Sequence, residues 1–160
     1  MFVHKYFNGS VPGGRISDEI MGQIGRLYDS IGTRIESGCL KNALDDIFAF
    51  TRYANKYFDT EKPWETRTSN AADCNSTICN CVQIIANLSV LLEPFLPFSS
   101  KKIKTWLQLD NTWHIKNIPA GVLIPEPELL FTRLDKGVAD EELKRLSLFS
   151  DNYSMESLHI

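Results

Sequence analysis

Ile20, Ile24, Leu27, Ile31 and Ile35 stand three or four residues apart, so one face of a single helix carries them all. The same spacing returns twice. Leu44, Ile47, Phe48, Thr51, Ala54 and Phe58 share a face of a helix predicted over residues 40–58. Ile78, Val82, Ile85, Leu88 and Leu92 share a face of a third, which Cys81, Ile84 and Leu91 widen. Three long amphipathic helices must bury their stripes against one another, and a stripe as broad as the third belongs in the middle of a bundle. Period-two alternation is nearly absent. Only the stretch from Trp113 to Ile118 offers a short strand or hairpin, ahead of Pro119, Gly121, Pro125 and Pro127. The expected class is all-α: a bundle of four to five helices with an irregular C-terminal segment.

Helix ends carry their own chemistry. Ser17 ahead of Asp18 and Glu19 supplies a capping hydroxyl and two acids for a first turn, and Gly38 ends that helix. Pro63 sets the outer limit of the second helix, and the stretch Asn70–Asn75 offers caps for the third. Glu93-Pro94 and Pro97 break it, and Ser99-Ser100 are expected to cap a shorter helix holding Ile103, Trp106 and Leu107. Phe2, Val3, Tyr6 and Phe7 form a further helical face stopped by Asn8-Gly9. Its full strength from residue 2 reads as the tail of a longer helix. Residues 8–15 read as loop, 128–133 as a turn of helix, and 140–148 as a last short helix before a frayed end. The expected division is a helical domain over 1–136, then a terminal helix and tail over 137–160 that could lead to a further domain.

Charge narrows the function. The chain has 17 Lys and Arg against 20 Asp and Glu, a net −3, which argues against an indiscriminate nucleic-acid binder. Residues 1–70 balance 9 basic against 9 acidic side chains, whereas 71–160 carry 8 against 11. Any contact with nucleic acid is therefore expected to be local and in the first half. No run reaches the roughly 20 apolar residues of a membrane span. The best candidate, Val82–Leu92, is short and contains Gln83, Asn87 and Ser89. The start lacks the basic-then-apolar order of a signal peptide. A cytoplasmic location with no membrane partner is expected. Cys39, Cys74, Cys79 and Cys81 lack the paired CxxC spacing of zinc knuckles, so they are read as partly buried thiols and no metal is expected.

Catalytic signatures are missing: there is no Gly-rich phosphate loop, GxSxG or HExxH. The adjacent acids Asp45-Asp46 and Glu141-Glu142 point about 100° apart on a helix, which does not make an acid–base couple. The informative stretch is RYANKYFDTEKPW, residues 52–64. Arg52, Asn55, Lys56 and Asp59 form one polar face near a helix C-terminus, and Pro63 fixes the backbone ahead of Trp64. A flat indole stacks on a base, an amide reads a base edge, and cations hold phosphates. The residues alone leave two readings open: a ligand platform, or a Trp64 that plugs the end of the bundle. Phe50, Tyr53 and Tyr57 are expected to pack on a neighbouring helix, and Trp106 in the core. Lys101, Lys102 and Lys104 are read as a solvated face. Trp113 either covers the bundle or faces an adjoining domain.

The segment ANKYFDTEKPW closely resembles the helix and PW motif in the anticodon-binding domain of methionyl-tRNA synthetases, which are class I aminoacyl-tRNA synthetases. FVHKYFNGSVP resembles the end of that domain's first helix, LSVLLEPFLPFSSKKIKTWL its later helices, and LIPEPELLFTRLD its closing segment. The resemblance runs over residues 2–136 in the family's order. It implies a bundle that binds the CAU anticodon of methionine tRNA, with Trp64 stacked on an anticodon base. Asn55 matches an asparagine that either reads a base or holds the helix end; Lys56 and Arg52 complete the candidate site. The family's other anticodon residues, an Asn and an Arg on the first helix, fall ahead of Met1. Its nucleotide-binding fold is not in this sequence, and Ser99–Lys104 is not its lysine loop. No cofactor is therefore expected here, since ATP and Mg would belong to the catalytic domain. The expected partners are methionine tRNA and that catalytic domain, not DNA. Two rivals stay open: the equivalent domain of another class I synthetase, and a structural helical module with no RNA role.

Overall fold

Helix boundaries follow the capping chemistry closely. In the computed structural model, which describes residues 2–126, 128–131 and 135–156, the Ser17 hydroxyl accepts from the Ile20 N–H at 3.3 Å and opens a helix over Asp18–Glu36. The Asn70 side chain accepts from the Asp73 N–H and opens another over Ala71–Leu91. The described residues hold seven helices: α1 (Phe2–Phe7), α2 (Asp18–Glu36), α3 (Leu40–Glu61), α4 (Pro63–Ser69), α5 (Ala71–Leu91), α6 (Pro97–Trp106) and α7 (Lys136–Glu156). Their only β feature is an isolated bridge between Ser10 and Leu123. The class is all-α. The chain divides into two units, Met1–Glu128 with α1 to α6 and Leu129–Ile160 with α7.

Several local expectations are corrected. Pro63 ends α3 but also starts α4, because Lys62 takes a left-handed φ of 43° and serves as the last cap of one helix and the first of the other. Proline suits that first helical position, where no N–H is needed and its φ is preset. For the same reason α6 opens on Pro97, not on Ser99-Ser100, which lie inside it. The stretch 113–118 forms no strand. Residues 128–131 are not helical, and 132–134 lie outside the described residues. The last helix runs over Lys136–Glu156, longer than 140–148, and the end beyond it is not described.

The main core joins Ile20, Ile24, Tyr28 and Ile31 of α2 to Ala43, Ile47 and Phe50 of α3 and Ile84, Val90 and Leu91 of α5. A second cluster sets Val82 and Ala86 of α5 against Val11, Leu107 and Ile118. Two residues assigned to buried stripes lie outside. Phe48 is 42% exposed and Ile85 47%. On α3 the buried line runs through Ala43, Ile47 and Phe50, and Phe48 sits about 100° round from Ile47. On α5 the buried side is partly polar. Thr77, Asn80, Gln83 and Asn87 are all buried, so apolar spacing alone misplaced the helix face.

Those buried amides organise the irregular segment. Gln83 donates to the Ile118 carbonyl at 2.8 Å and accepts from the Ile118 N–H at 2.8 Å. Asn87 does the same with Lys116, donating at 2.9 Å and accepting at 2.7 Å, and also accepts from the Tyr28 hydroxyl. Asn80 accepts from the Ser17 N–H and donates to the Arg15 carbonyl. Residues 8–15 and 110–118 are thus tied to α5 by side chains that imitate a peptide group. Gly14 lets the first of these segments approach, since a Cβ there would lie 2.6 Å from the Ser76 Cα. By length and hydropathy α5 could cross a membrane, yet 72% of that window is buried inside the protein, as in a core helix.

Lys104 is not solvated: it is 3% exposed and paired with Glu93 at 2.6 Å. Lys102 reaches Glu128 at the surface, and Lys101 is exposed. Trp106 is half-buried. Trp113 covers the bundle, meeting Tyr28 edge-on at 5.5 Å above Gly32. Cys74 and Cys79 are buried and Cys39 is exposed; burial pushes the Cys81 thiol up to about 12.

Candidate nucleic-acid interface

The C-terminal half of α3 divides its side chains sharply. Phe50, Tyr53 and Tyr57 turn inward: Phe50 and Tyr53 stack at 5.6 Å, and the Tyr57 hydroxyl accepts from Asn80. Arg52, Asn55, Lys56 and Asp59 turn outward and are exposed. None of the four makes a side-chain hydrogen bond or ion pair among the described residues, whereas Asp45 and Asp46 are paired with Lys41 and Arg34. Measured round α3 from Phe58, Asn55 stands about 60° away, Arg52 about 120° and Lys56 about 160°. Asn55 is therefore the closest of the three to the side of α3 that carries Phe58 and, on it, Trp64, and Lys56 is furthest round.

At that end the two residues of the PW pair part company. Pro63 is fully buried, and its carbonyl accepts from the Cys74 thiol. Trp64 is 44% exposed, with its ring resting on Phe58 at 5.7 Å and tilted by 53°. Pro63, not Trp64, fills the end of the bundle. Phe58 in turn meets Phe2 edge-on at 6.2 Å, and Phe2 lies 4.6 Å from Tyr6. A line of aromatic rings thus runs from α4 across α3 to α1, with the indole as its most exposed member.

Two cations join this line that sequence reasoning passed over. The Arg67 guanidinium sits 4.3 Å from the centre of the Tyr6 ring, and the Lys5 ammonium 5.0 Å from it. The Lys5 ammonium beside its hydroxyl holds the Tyr6 phenol below its ordinary value, and the Arg67 charge adds to this. The available signal was the i, i+3 spacing of Trp64 and Arg67. It has meaning only once residues 63–69 are known to be a helix, which the reading of Pro63 as a stop obscured.

Fold and surface together define an all-α bundle domain with a partly exposed line of aromatic rings flanked by cations. Residues 13–150 match the family model of the anticodon binding domain of methionyl tRNA ligase, and this chain belongs to that family. Among curated relatives it is 46% identical to methionine–tRNA ligase 1 of Alkaliphilus oremlandii (strain OhILAs) over 147 residues, 91% of this chain and 27% of that protein. It is 41% identical to methionine–tRNA ligase of Bacillus cereus (strain G9842) over the same shares. The chain thus spans about a quarter of the length of these relatives. Its fold matches the apo form of Mycobacterium tuberculosis methionyl-tRNA synthetase with a TM-score of 0.75 at 23% identity, covering 84% of this chain and 30% of that one.

Proposed function

We propose that this chain is the tRNA-recognition module of a methionyl-tRNA synthetase, binding the CAU anticodon of methionine tRNA. Aminoacylation is then carried out by a catalytic domain outside this sequence, which is its second partner. The chain does no chemistry itself: ATP and Mg are used in the catalytic domain. The observation that carries the reading is the division of labour in the PW pair. Pro63 is buried, while the largest aromatic surface nearby, Trp64, faces solvent on a ring scaffold that sets its orientation. Such a ring offers a base a stacking partner. Asn55, on the neighbouring side of α3, supplies an amide with unused donors and acceptors for a base edge. Arg52 and, further round, Lys56 offer charge to the sugar–phosphate chain.

The test is a titration with methionine tRNA and with the same tRNA carrying a changed anticodon. The module binds the first and discriminates against the second. A structural helical module binds neither, and the equivalent domain of another synthetase prefers a different anticodon. Purified chain shows no methionine-dependent ATP–pyrophosphate exchange; measurable exchange would contradict a purely recognising role.

A further inference from the structure

Arg67 and Lys5 flank the aromatic line that begins at Trp64, and neither has a role so far. Both approach one ring, Tyr6, at 4.3 and 5.0 Å from its centre, so the two charges lie closer together than about 10 Å, one Debye length at 0.1 M salt. Neither has a carboxylate within ion-pairing distance among the described residues. The one acid in the first turn of α4, Glu65, is already held by Lys62 at 3.3 Å. The ring attracts each cation but cannot cancel the repulsion between them. Two cations gathered from separate helices, without an anion of their own, form a site that an external anion would complete. The position is specific as well. Arg67 stands one helical turn beyond Trp64 on α4, and Phe2 links the rings of Tyr6 and Phe58.

We infer that Arg67 and Lys5 clamp a backbone phosphate of the RNA strand whose base stacks on Trp64, with Tyr6 as the ring that both cations approach. This rests on the proposed anticodon role of Trp64 and adds a second contact of a different kind. Stacking is insensitive to salt, whereas a phosphate contact releases a counterion and carries no sequence information.

That difference supplies the test, made on the full chain with methionine tRNA across a series of salt concentrations. Arg67→Gln weakens binding roughly three- to tenfold at moderate salt and reduces the steepness of the log affinity–log salt plot by about 0.7, the value for one phosphate on a single strand. Lys5→Gln acts in the same direction. Both weaken cognate and anticodon-changed tRNA by the same factor, so discrimination is preserved. Arg67→Lys keeps the salt slope while losing part of the affinity. Trp64→Ala lowers affinity at unchanged slope. Inorganic phosphate, titrated at constant ionic strength, weakens tRNA binding to wild type but not to Arg67→Gln; equal weakening of both would place the anion elsewhere and overturn the inference. If wild type binds and Trp64→Ala weakens it, yet Arg67→Gln leaves affinity and slope unchanged, the clamp is wrong and the platform stands. If wild type shows no tRNA binding, both fall together. Circular dichroism melting of each variant checks that the fold is retained.

Discussion

Two sets of polar side chains in this bundle have opposite fates. On the inward side of α5, Asn80, Gln83 and Asn87 are buried and every one is matched to backbone groups of a distant segment. On the outward side of α3 and on α4, Arg52, Asn55, Lys56 and Arg67 are exposed and make no hydrogen bond or ion pair among the described residues. The same residue type, asparagine, is structural at one site and available at the other. Polarity therefore says little about role; whether the fold has already used a group's donors and acceptors says much more. A satisfied buried amide fixes a loop and can do nothing else, whereas an exposed unused one is still able to recognise a ligand.

The sharpest way to break this contrast is Asn87→Leu. It leaves the Lys116 N–H and carbonyl and the Tyr28 hydroxyl without their partner, at about 1–3 kcal/mol for each buried group. A loss of at least about 3 kcal/mol is expected in denaturant unfolding, against less than about 0.5 kcal/mol for the exposed Asn55→Leu. Similar costs at both sites would show that the two asparagines are not different in kind.

Next in size is a pair of isoleucines. Ile47→Ala, at a fully buried site, is expected to cost roughly 2–5 kcal/mol, and Ile85→Ala, 47% exposed, less than about 1 kcal/mol. Equal losses would return Ile85 to the core and undo the assignment of α5's inward side.

Trp64→Ala should remove about 1–3 kcal/mol of tRNA binding, a fivefold to hundredfold weakening, and Trp64→Phe only part of it. Because the ring touches Phe58 from outside, the stability change should stay near about 1 kcal/mol. A large drop in melting temperature with unchanged affinity would make the residue structural after all.

The smallest effect is one of pH. Lys116 beside Asp110 holds its carboxyl well below the usual carboxylate range, with Thr112 helping. A carboxyl whose folded pKa is depressed contributes stability present above its unfolded value, about 3.9, and lost as pH falls below it. The melting temperature of wild type should therefore drop more steeply than that of Asp110→Asn between about pH 5 and pH 2. Parallel curves would show that the exposed Asp110 carboxyl adds no net stability to the folded state.

Much of this architecture is written locally. The Ser17 cap, the Gly38 stop, the Asn70 cap and the isoleucine line of α2 depend on groups within a turn or two of one another, so the sequence determines them unaided. The RYANKYFDTEKPW stretch was likewise legible as a candidate site, since its outward polar face needs only helical geometry. What only the tertiary structure decided is which groups meet across long separations. Asn87 finds Lys116 29 residues away, Gln83 finds Ile118 at 35 and Asn80 finds Arg15 at 65. Hydrophobic spacing cannot anticipate a buried amide, because burial is cheap for it only when that remote partner is in place. The same reason hid the Lys104–Glu93 pair and the gathering of Lys5 and Arg67 on Tyr6. Charges are read as solvated until packing supplies a ring or a counter-ion, and that packing brings together α6 and the turn after α5 for the one, α1 and α4 for the other.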